Sequence, residues 1–179
     1  MRVHVTWIAL GAFVLAAILS IILFGGRDDE PEDVRAAYLP GGDFALTHGD
    51  TTFDMRSLRG SPYVLYFGFT HCPDVCPTGL AKIRDAFQQL PQQSVAKALF
   101  VTLDPARDNA EHVQRYAEFF HPDIIGRTGT LEEISALAKA YGTYFKANEP
   151  DDQGNYSVDH TAYFYLIDKQ GKLKRVLDH

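Results

Sequence analysis

The sequence predicts an α/β fold: a sheet covered by helices on both faces, with a β-hairpin added at its amino-terminal end. From residue 43 onward, apolar runs typical of buried strands alternate with helical patterns, which indicates such a covered sheet. Before the first buried strand, residues 43–55 alternate apolar and polar side chains around His48-Gly49-Asp50, which is the signature of a hairpin. A chain of 179 residues with 46% hydrophobic residues is long enough to bury one sizeable core. We therefore expect one folded domain.

Each strand of this sheet has a local signal. Short apolar runs rich in β-branched and aromatic residues, bounded by turn residues, are typical of buried strands. The hairpin is expected to turn Phe44, Leu46 and Phe53 inward. The remaining predicted strands are residues 63–69, 98–103 and 162–167, and a last strand that ends near Leu177 after the turn Lys169-Gln170-Gly171.

Three helices are predicted between the strands, each from an N-terminal signal followed by apolar residues at helical spacing. A proline opens the first, because its missing N–H costs nothing at a helix start. Capping boxes, in which the cap residue and the third helical residue exchange hydrogen bonds, open the other two. The first predicted helix begins at Pro77 and ends at Pro91. The second begins at the capping box of Asp108 and Glu111 and runs through Phe120. The third begins at the capping box of Thr130 and Glu133 and ends at Gly142.

The first 42 residues differ in composition from the predicted domain. Residues 7–24 are apolar or small apart from Ser20, and as a helix they would be about 27 Å long, enough to span a bilayer. Arg2 lies before this run and an acidic cluster at residues 28–30 lies after it, so the positive-inside rule places the domain outside the cytoplasm. A cleaved signal peptide is the alternative, but no clear A-x-A site follows the run. We predict a transmembrane anchor at residues 1–26, a solvated linker at 27–42 and the domain at 43–179.

Charge and cysteine content exclude several classes of protein. The chain has 17 Lys and Arg residues against 23 Asp and Glu, a net charge of −6 that gives no indication of nucleic-acid binding. Two cysteines cannot form the framework of a disulfide-rich domain. Because Cys72 and Cys76 lie four residues apart, they indicate a redox pair or ligands for a soft metal.

Cys72 and Cys76 lie in the loop between the strand at residues 63–69 and the helix opened by Pro77. The dipole and unpaired N–H groups of a helix N-terminus favour thiolate over thiol, and the thiolate is the form that attacks disulfides and binds metals. A non-helical loop can also bring two sulfurs into bonding range, so we expect the pair to form an intramolecular disulfide on oxidation. That oxidised form would not bind metal.

Loops at the carboxyl ends of the strands are expected to converge on one site. They are the cysteine loop, the loop that begins at Asp104, and the segment that carries Asp159 and His160 before the strand at residues 162–167. Two thiolates and one imidazole suit copper in either oxidation state, and Asp159 could orient the imidazole. From spacing alone, a single histidine beside a strand is more often a hydrogen-bonded residue with no metal, and this alternative is favoured for His160.

Three segments, FGFTHCPDVCPTGL, VTLDPARD and VDHTAYFYLID, closely resemble the Sco/SenC family over about residues 44–177. Its members are membrane-anchored, thioredoxin-like copper proteins that help to assemble the CuA centre of cytochrome c oxidase. The resemblance implies a thioredoxin-like fold and copper bound by Cys72, Cys76 and His160. It implies supporting or partner-contact roles for Asp74 and Asp104.

The resemblance also implies partners and a location. The expected partners are the CuA-bearing subunit of cytochrome c oxidase or another copper chaperone, together with the membrane that holds the amino-terminal helix. The expected location is the inner (cytoplasmic) membrane, with the domain on the periplasmic or extracytoplasmic side.

The chain departs from the family pattern in two places. Gly79 stands where many relatives have a polar residue. The chain ends at His179, whereas the resemblance leads us to expect one further amphipathic helix on the sheet. With that last helix short or absent, one face of the sheet is expected to expose apolar surface.

Two functions compete at this point. The first is a copper chaperone that delivers metal without turnover, and the second is a thiol-disulfide oxidoreductase that reduces the cysteines of a target site. The longer C-x-x-x-C spacing, the two flanking prolines and the matching histidine favour the chaperone. A peroxidase of the peroxiredoxin type is disfavoured, because the sequence has no convincing P-x-x-x-T-x-x-C environment.

Overall fold

The computed structural model describes residues 33–91 and 96–179. A short 3-10 turn at Met55–Leu58 follows the hairpin. In chain order, the helices and strands are α1 (Val34–Tyr38), β1 (Ala45–His48), β2 (Thr51–Asp54), β3 (Tyr63–Gly68), α2 (Val75–Gln88), β4 (Lys97–Thr102), α3 (Ala110–Phe120), β5 (Ile124–Arg127), α4 (Leu131–Ala140), β6 (Phe145–Ala147), β7 (Val158–His160), β8 (Tyr163–Ile167) and β9 (Leu173–Asp178).

A five-stranded sheet with the order β5-β4-β3-β8-β9 forms the centre of the domain. Strands β3, β4 and β5 are parallel, β8 is antiparallel to β3, and β9 is antiparallel to β8. All six residues of the middle strand β3 are buried, as expected for a strand covered on both faces. The predicted strands at 63–69, 98–103 and 162–167 and the last strand are confirmed as β3, β4, β8 and β9.

Successive side chains of β3 enter two different cores. Val64 and Tyr66 pack with residues of α2 and α3 on one face. Leu65 and Phe67 pack with residues of α4 and of the hairpin on the other. The predicted α/β class is therefore confirmed, and the parallel β3-α2-β4 unit followed by the antiparallel pair β8–β9 is consistent with a thioredoxin-like fold.

The predicted amino-terminal hairpin is present as the separate two-stranded ribbon β1–β2. Leu46 pairs with Phe53, and the turn between the strands uses Gly49 with a φ of +57°. Leu46 is buried, and Phe44 and Phe53 are partly buried against the same core, so all three face inward as predicted. The hairpin therefore extends the core on the α4 face of the sheet.

Helix α4 begins at the predicted capping box. The backbone N–H of Glu133 donates to Thr130 Oγ1 at 3.2 Å, and the Glu133 carboxylate accepts from the Thr130 N–H at 3.0 Å. The same carboxylate accepts from the N–H of Thr47 in β1 at 2.8 Å, so the cap also fixes the hairpin. After the helix, Gly142 has a φ of +66°, which suits its predicted role as the C-terminal cap.

The predicted start of α2 at Pro77 is wrong, because the helix begins at Val75. A residue before proline usually avoids helical backbone, yet Cys76 occupies the first turn. Its N–H lies 3.4 Å from Cys72 Sγ and so has a partner there. The missing N–H of Pro77 still costs nothing, since N–H groups of the first turn have no partner within the helix.

The predicted cap of α3 is wrong by one residue. Asn109, not Asp108, caps the helix, and its side chain accepts from the N–H of His112 at 2.8 Å. Asp108 is instead fully buried beside the cysteine loop. A carboxylate that can cap a helix can equally accept hydrogen bonds from another loop, and the local sequence does not distinguish the two.

The part of the predicted linker that the structure describes is folded onto the domain. Asp33 caps the short helix α1, and its carboxylate also accepts from the N–H of Val176 in β9 at 3.0 Å. Arg35 donates to the carbonyl of Val176 at 2.6 Å and to Asp178 at 2.8 Å. These polar contacts hold this end of the linker against the edge of β9, while Val34 and Tyr38 remain exposed to solvent.

The predicted transmembrane anchor at residues 7–24 lies outside the described residues. Among the helices of residues 33–91 and 96–179, none is long and apolar enough to cross a bilayer.

The last element of the described chain is β9, followed by His179. Phe164 and Leu166, on the sheet face that α2 and α3 cover, are less than a tenth exposed. The His179 ring stacks on Phe164 at a centroid distance of 5.7 Å. The expected exposure of apolar surface on one face of the sheet is therefore not found at these two positions.

Candidate metal centre

The two cysteines lie at the carboxyl end of the central strand, where β3 passes into α2. Cys76 is completely buried and Cys72 is 9% exposed. Gly68, the last residue of β3, lies so close that a Cβ added there would be 2.7 Å from Cys76 Sγ. Only a residue without a side chain leaves room for this sulfur. Both cysteines are free thiols.

His160 approaches these sulfurs from the opposite side of the loop. It ends β7, which forms with β6 a two-stranded ribbon outside the main sheet. Its Nε2 lies 3.5 Å from Cys76 Sγ. The two sulfurs and one ring nitrogen of Cys72, Cys76 and His160 all lie within 4.8 Å of one another. The structure thus brings together the three residues that were predicted from the sequence as metal ligands.

The hydrogen bond of the other ring nitrogen defines the tautomer of His160. Its Nδ1 lies 3.1 Å from the carbonyl oxygen of Thr161, and a carbonyl can only accept. The proton is therefore on Nδ1, and Nε2 offers its lone pair toward the sulfurs. Burial lowers the pKa of His160, against smaller opposing effects of the Thr161 carbonyl and the charge of Asp159, so the neutral ring is favoured.

Burial also decides the state of Cys76. Desolvation, followed by the hydrogen bond with Cys72, raises the pKa of the Cys76 thiol well above its ordinary range. The predicted preference for thiolate at this helix start is therefore wrong for Cys76 in the metal-free protein, because burial outweighs the helix dipole. A neutral thiol there can donate to Nε2 of His160, and an arriving metal would replace that proton.

Asp104 holds the ribbon that carries His160, without touching the metal ligands. It is 4% exposed and accepts from Arg107 Nε at 2.5 Å and from the hydroxyl of Tyr156 at 2.7 Å. Arg107 also donates to the Tyr156 carbonyl at 2.8 Å, and its guanidinium lies 3.5 Å from the centre of the Tyr156 ring. The loop between β6 and β7 is thereby clamped to the loop after β4.

Phe69 connects this clamp to the histidine. The Arg107 guanidinium lies 6.0 Å from the centre of its ring, and the ring meets the His160 imidazole edge-on at 5.9 Å. Phe69 itself is 3% exposed. The orientation of His160 therefore depends on packing against Phe69 as well as on its own hydrogen bond.

The other two supporting residues, Asp74 and Asp159, are exposed on either side of the site. Asp74 is the cap residue of α2, but its side chain makes no capping hydrogen bond. Asp159 accepts from Asn148 across the ribbon at 3.1 Å. The partner of His160 Nδ1 is the carbonyl of Thr161 and not the carboxylate of Asp159.

Sequence reasoning missed the part that Asp108 plays at the site. Its buried carboxylate accepts from the N–H of Thr70 at 2.9 Å, from the Thr70 hydroxyl at 2.5 Å and from the Thr102 hydroxyl at 2.6 Å. It thus ties the residues just before Cys72 to the end of β4. Its place in the segment VTLDPARD was the available signal, but the capping pattern with Glu111 concealed it.

The site's chemistry and its relatives agree. Thiolate and imidazole ligands together suit copper and zinc, and three protein ligands fall short of the four usual in a structural zinc site. One similar solved structure is that of Arabidopsis thaliana ScoI with copper bound, which is 35% identical, has a TM-score of 0.71, and is matched over 78% of this chain and 88% of that one. Another is that of yeast Sco1 with copper bound, which is 36% identical, has a TM-score of 0.70, and is matched over 78% of this chain and 79% of that one.

Curated relatives include the mitochondrial protein SCO2 homolog of Bos taurus and the mitochondrial protein SCO1 homolog of Homo sapiens. The first is 37% identical over 82% of this chain and 57% of its own length, and the second is 35% identical over 92% and 56%. The chain thus spans a little over half the length of these relatives. A family model described as SCO1/SenC matches residues 32–179. The resemblance noted in three short segments extends over the whole described domain, and the chain belongs to the SCO1/SenC family.

Proposed function

We propose that the protein is a copper chaperone that binds one copper ion through Cys72, Cys76 and His160 and delivers it to the CuA site during assembly of cytochrome c oxidase. The observation that carries the proposal is the convergence of two sulfurs and a ring nitrogen within 4.8 Å of one another. Copper is supported as the cargo by the two relatives whose structures contain it. Delivery to CuA rests on family membership.

The three ligands serve the two oxidation states of copper differently. Two thiolates hold Cu(I) in a near-linear site, whereas Cu(II) favours additional nitrogen or oxygen ligands. His160 Nε2, which lies 3.5 Å from Cys76 Sγ, would supply such a nitrogen ligand through its lone pair. The buried pair with a peripheral imidazole therefore suits a protein that holds copper in both states.

The proposed setting follows the sequence. Residues 7–24 would anchor the protein in the inner membrane, with the domain on the extracytoplasmic side. The CuA-bearing subunit of the oxidase, or another copper chaperone, would be the partner there. Asp74 is exposed beside the cysteines and is available for such a contact.

Thiol-disulfide exchange is the competing function for the same cysteines. Exchange needs an accessible thiolate, and the burial of Cys76 together with its raised pKa disfavours that role for it. Cys72, at 9% exposed, is the more accessible of the two. The imidazole has no required part in exchange, and this makes His160 the residue that distinguishes the two functions.

The test compares His160→Ala with the wild type in a strain that lacks the chromosomal gene. If copper delivery is the function, His160→Ala loses stable Cu(II) binding in titrations of the purified protein and fails to restore oxidase activity. Its cysteine pair stays reducible. His48→Ala, in the turn of the hairpin, is the matched control and restores full activity. Full oxidase activity with His160→Ala would overturn the proposal in favour of thiol reduction.

A further inference from the structure

A pair of histidines that takes no part in the metal centre lies beside the cysteine loop. His71 immediately precedes Cys72, and its side chain is about half exposed. His112 lies in the first turn of α3. Although they are far apart in sequence, their ring centres are only 6.0 Å apart, with the rings inclined by 35°.

The hydrogen bonds around His71 fix which of its nitrogens is available. Thr70 has one hydroxyl hydrogen, which it donates to the carboxylate of Asp108 at 2.5 Å. The same hydroxyl oxygen lies 3.1 Å from His71 Nδ1, so it can only accept there, and Nδ1 must carry the proton. Nε2 of His71 is left with its lone pair.

The Thr70 hydroxyl that accepts from His71 Nδ1 is itself held by the carboxylate of Asp108. Its Oδ1 lies 3.5 Å from His71 Nδ1, and the carboxylate is completely buried and held by Thr70 and Thr102. Histidines that bind metals usually donate their second N–H to a carboxylate or another acceptor, which orients the ring and makes the ligand nitrogen more basic. His71 has such an acceptor in the Thr70 hydroxyl, which the buried carboxylate of Asp108 holds in place, and this distinguishes His71 from a histidine that is merely solvated.

The spacing of the two rings fits a shared ion. A metal lies about 2 Å from an imidazole nitrogen and so about 3 Å from the ring centre, which places two rings on one ion up to about 6 Å apart, centre to centre. Rotation about the side-chain bonds of His112, which is partly exposed, would aim a nitrogen at the ion. Among divalent ions, Cu(II) binds imidazole sites most strongly, and water can complete its coordination.

We propose that His71 and His112 form a second metal site, a two-imidazole site for Cu(II) at the entrance to the cysteine loop. It is separate from the site of Cys72, Cys76 and His160 and shares no ligand with it. The proposal does not depend on the delivery function, because the histidine pair would bind Cu(II) whatever the cysteines do. Its location is next to Cys72, because His71 immediately precedes that residue.

The test uses the full chain in which Cys72→Ser and Cys76→Ser remove the thiol site, so that failure of one proposal is distinguishable from failure of the other. Cu(II) is added as the probe, and binding is followed by competition with a chelator and by electron paramagnetic resonance. We expect nitrogen splitting from two imidazoles. We also expect His112→Gln to weaken Cu(II) binding at least tenfold, and His71→Gln to do the same.

The matched control is His121→Gln, at the other end of α3, which leaves Cu(II) affinity and the spectrum unchanged. Because one shared site is lost when either ligand is lost, the double variant of His71 and His112 should bind no more weakly than either single variant. Unchanged Cu(II) affinity in His112→Gln would overturn the proposal. So would independent, additive losses, which would mean that each histidine binds metal alone.

Discussion

The cysteines and the histidine of the metal centre come from two regions that are built in opposite ways. The cysteines continue β3, in which every residue is buried, and Cys76 itself is fully enclosed. His160 ends a ribbon of two three-residue strands that lies outside the main sheet and is partly exposed. The core therefore fixes the sulfurs, whereas a few specific contacts fix the imidazole.

That difference shows how one site can combine a rigid and an adjustable half. A short two-stranded ribbon is marginally stable alone, so the ribbon depends on its attachment through Arg107, Asp104 and Tyr156. Changes in the core should therefore alter the whole site. Changes in the attachment should alter chiefly the proposed contribution of the histidine, which is the binding of Cu(II).

The largest expected effect comes from the rigid half. Cys76→Ser keeps the volume of the side chain but replaces a soft sulfur ligand with a hydroxyl, so copper in either oxidation state should be lost. The copper-to-protein ratio after gel filtration measures this. Thr78→Ser, at an exposed position on α2, is the control and should retain copper. Copper retained at the wild-type ratio by Cys76→Ser would contradict the assignment.

Gly68→Ala tests the packing behind the same sulfur. A Cβ there would lie 2.7 Å from Cys76 Sγ and 2.8 Å from the Phe100 ring, so the sulfur must move. We expect the free energy of unfolding to fall by about 1–3 kcal/mol, as for overpacked cores, and both copper states to bind more weakly. Chemical denaturation and copper titration measure the two effects.

Gly154→Ala is the control for Gly68→Ala. It lies in the loop of the ribbon with open space around it, but its φ of +82° makes alanine unfavourable. It should reduce stability without changing Cu(I) affinity. If Gly68→Ala left Cu(I) affinity as unchanged as the control does, close packing behind Cys76 would have no bearing on the metal.

Arg107→Gln tests the adjustable half. Losing the ion pair with Asp104 and the contacts with Tyr156 should loosen the ribbon and weaken Cu(II) binding about tenfold, the lower end of what indirect supports of metal ligands usually cost. Cu(I) binding should change much less. Arg115→Gln breaks an exposed ion pair with Glu111 on α3 and should change neither affinity. Equal losses for Cu(I) and Cu(II) in Arg107→Gln would mean that the clamp supports the entire site.

The smallest effect on copper binding is expected from a change of Asp33, which contacts the edge strand β9. Burial alone would raise the pKa of Asp33, but hydrogen bonds from the N–H groups of Val176 and Arg35 outweigh it and lower the pKa. A lowered pKa in the folded state gives stability that is present above the ordinary value of 3.8 and is lost as the pH falls through the folded value.

Asp33→Ala should therefore reduce the free energy of unfolding by about 1 kcal/mol at neutral pH, as for a lost helix cap. The difference from the wild type should disappear as the pH falls below about 4. Asp50→Ala, in the exposed hairpin turn, serves as the control. A difference that persisted unchanged at low pH would show that the carboxylate charge of Asp33 is not what stabilises α1 on β9.

The sequence predicted the rigid region better than the adjustable one, for a physical reason. The strand before Cys72 and the two thiols are local features, readable from one continuous stretch. The clamp joins Arg107 to the carbonyl of Tyr156, 49 positions later, and no local pattern indicates such a contact. For His160, spacing left a metal role open, and only the family resemblance selected it as a ligand.

Where local rules failed, the surrounding fold had overridden them. The preference against helical backbone before Pro77 did not prevent α2 from starting at Val75. The helix dipole predicted a thiolate at Cys76, but burial raises its pKa instead. Gly79, where many relatives have a polar residue, lies where a Cβ would clash with the Tyr66 hydroxyl. Each of these outcomes depends on packing that brings distant segments together.

The most direct test of the account is X-ray absorption spectroscopy of the full chain loaded with one equivalent of Cu(I), in the wild type and in His160→Ala. Comparing the two proteins isolates the contribution of the ribbon to the metal centre. We predict two sulfur ligands and one imidazole nitrogen at copper in the wild type, and the same two sulfurs without that nitrogen in His160→Ala. An unchanged coordination shell in His160→Ala, or a wild-type shell with fewer than two sulfurs, would contradict it.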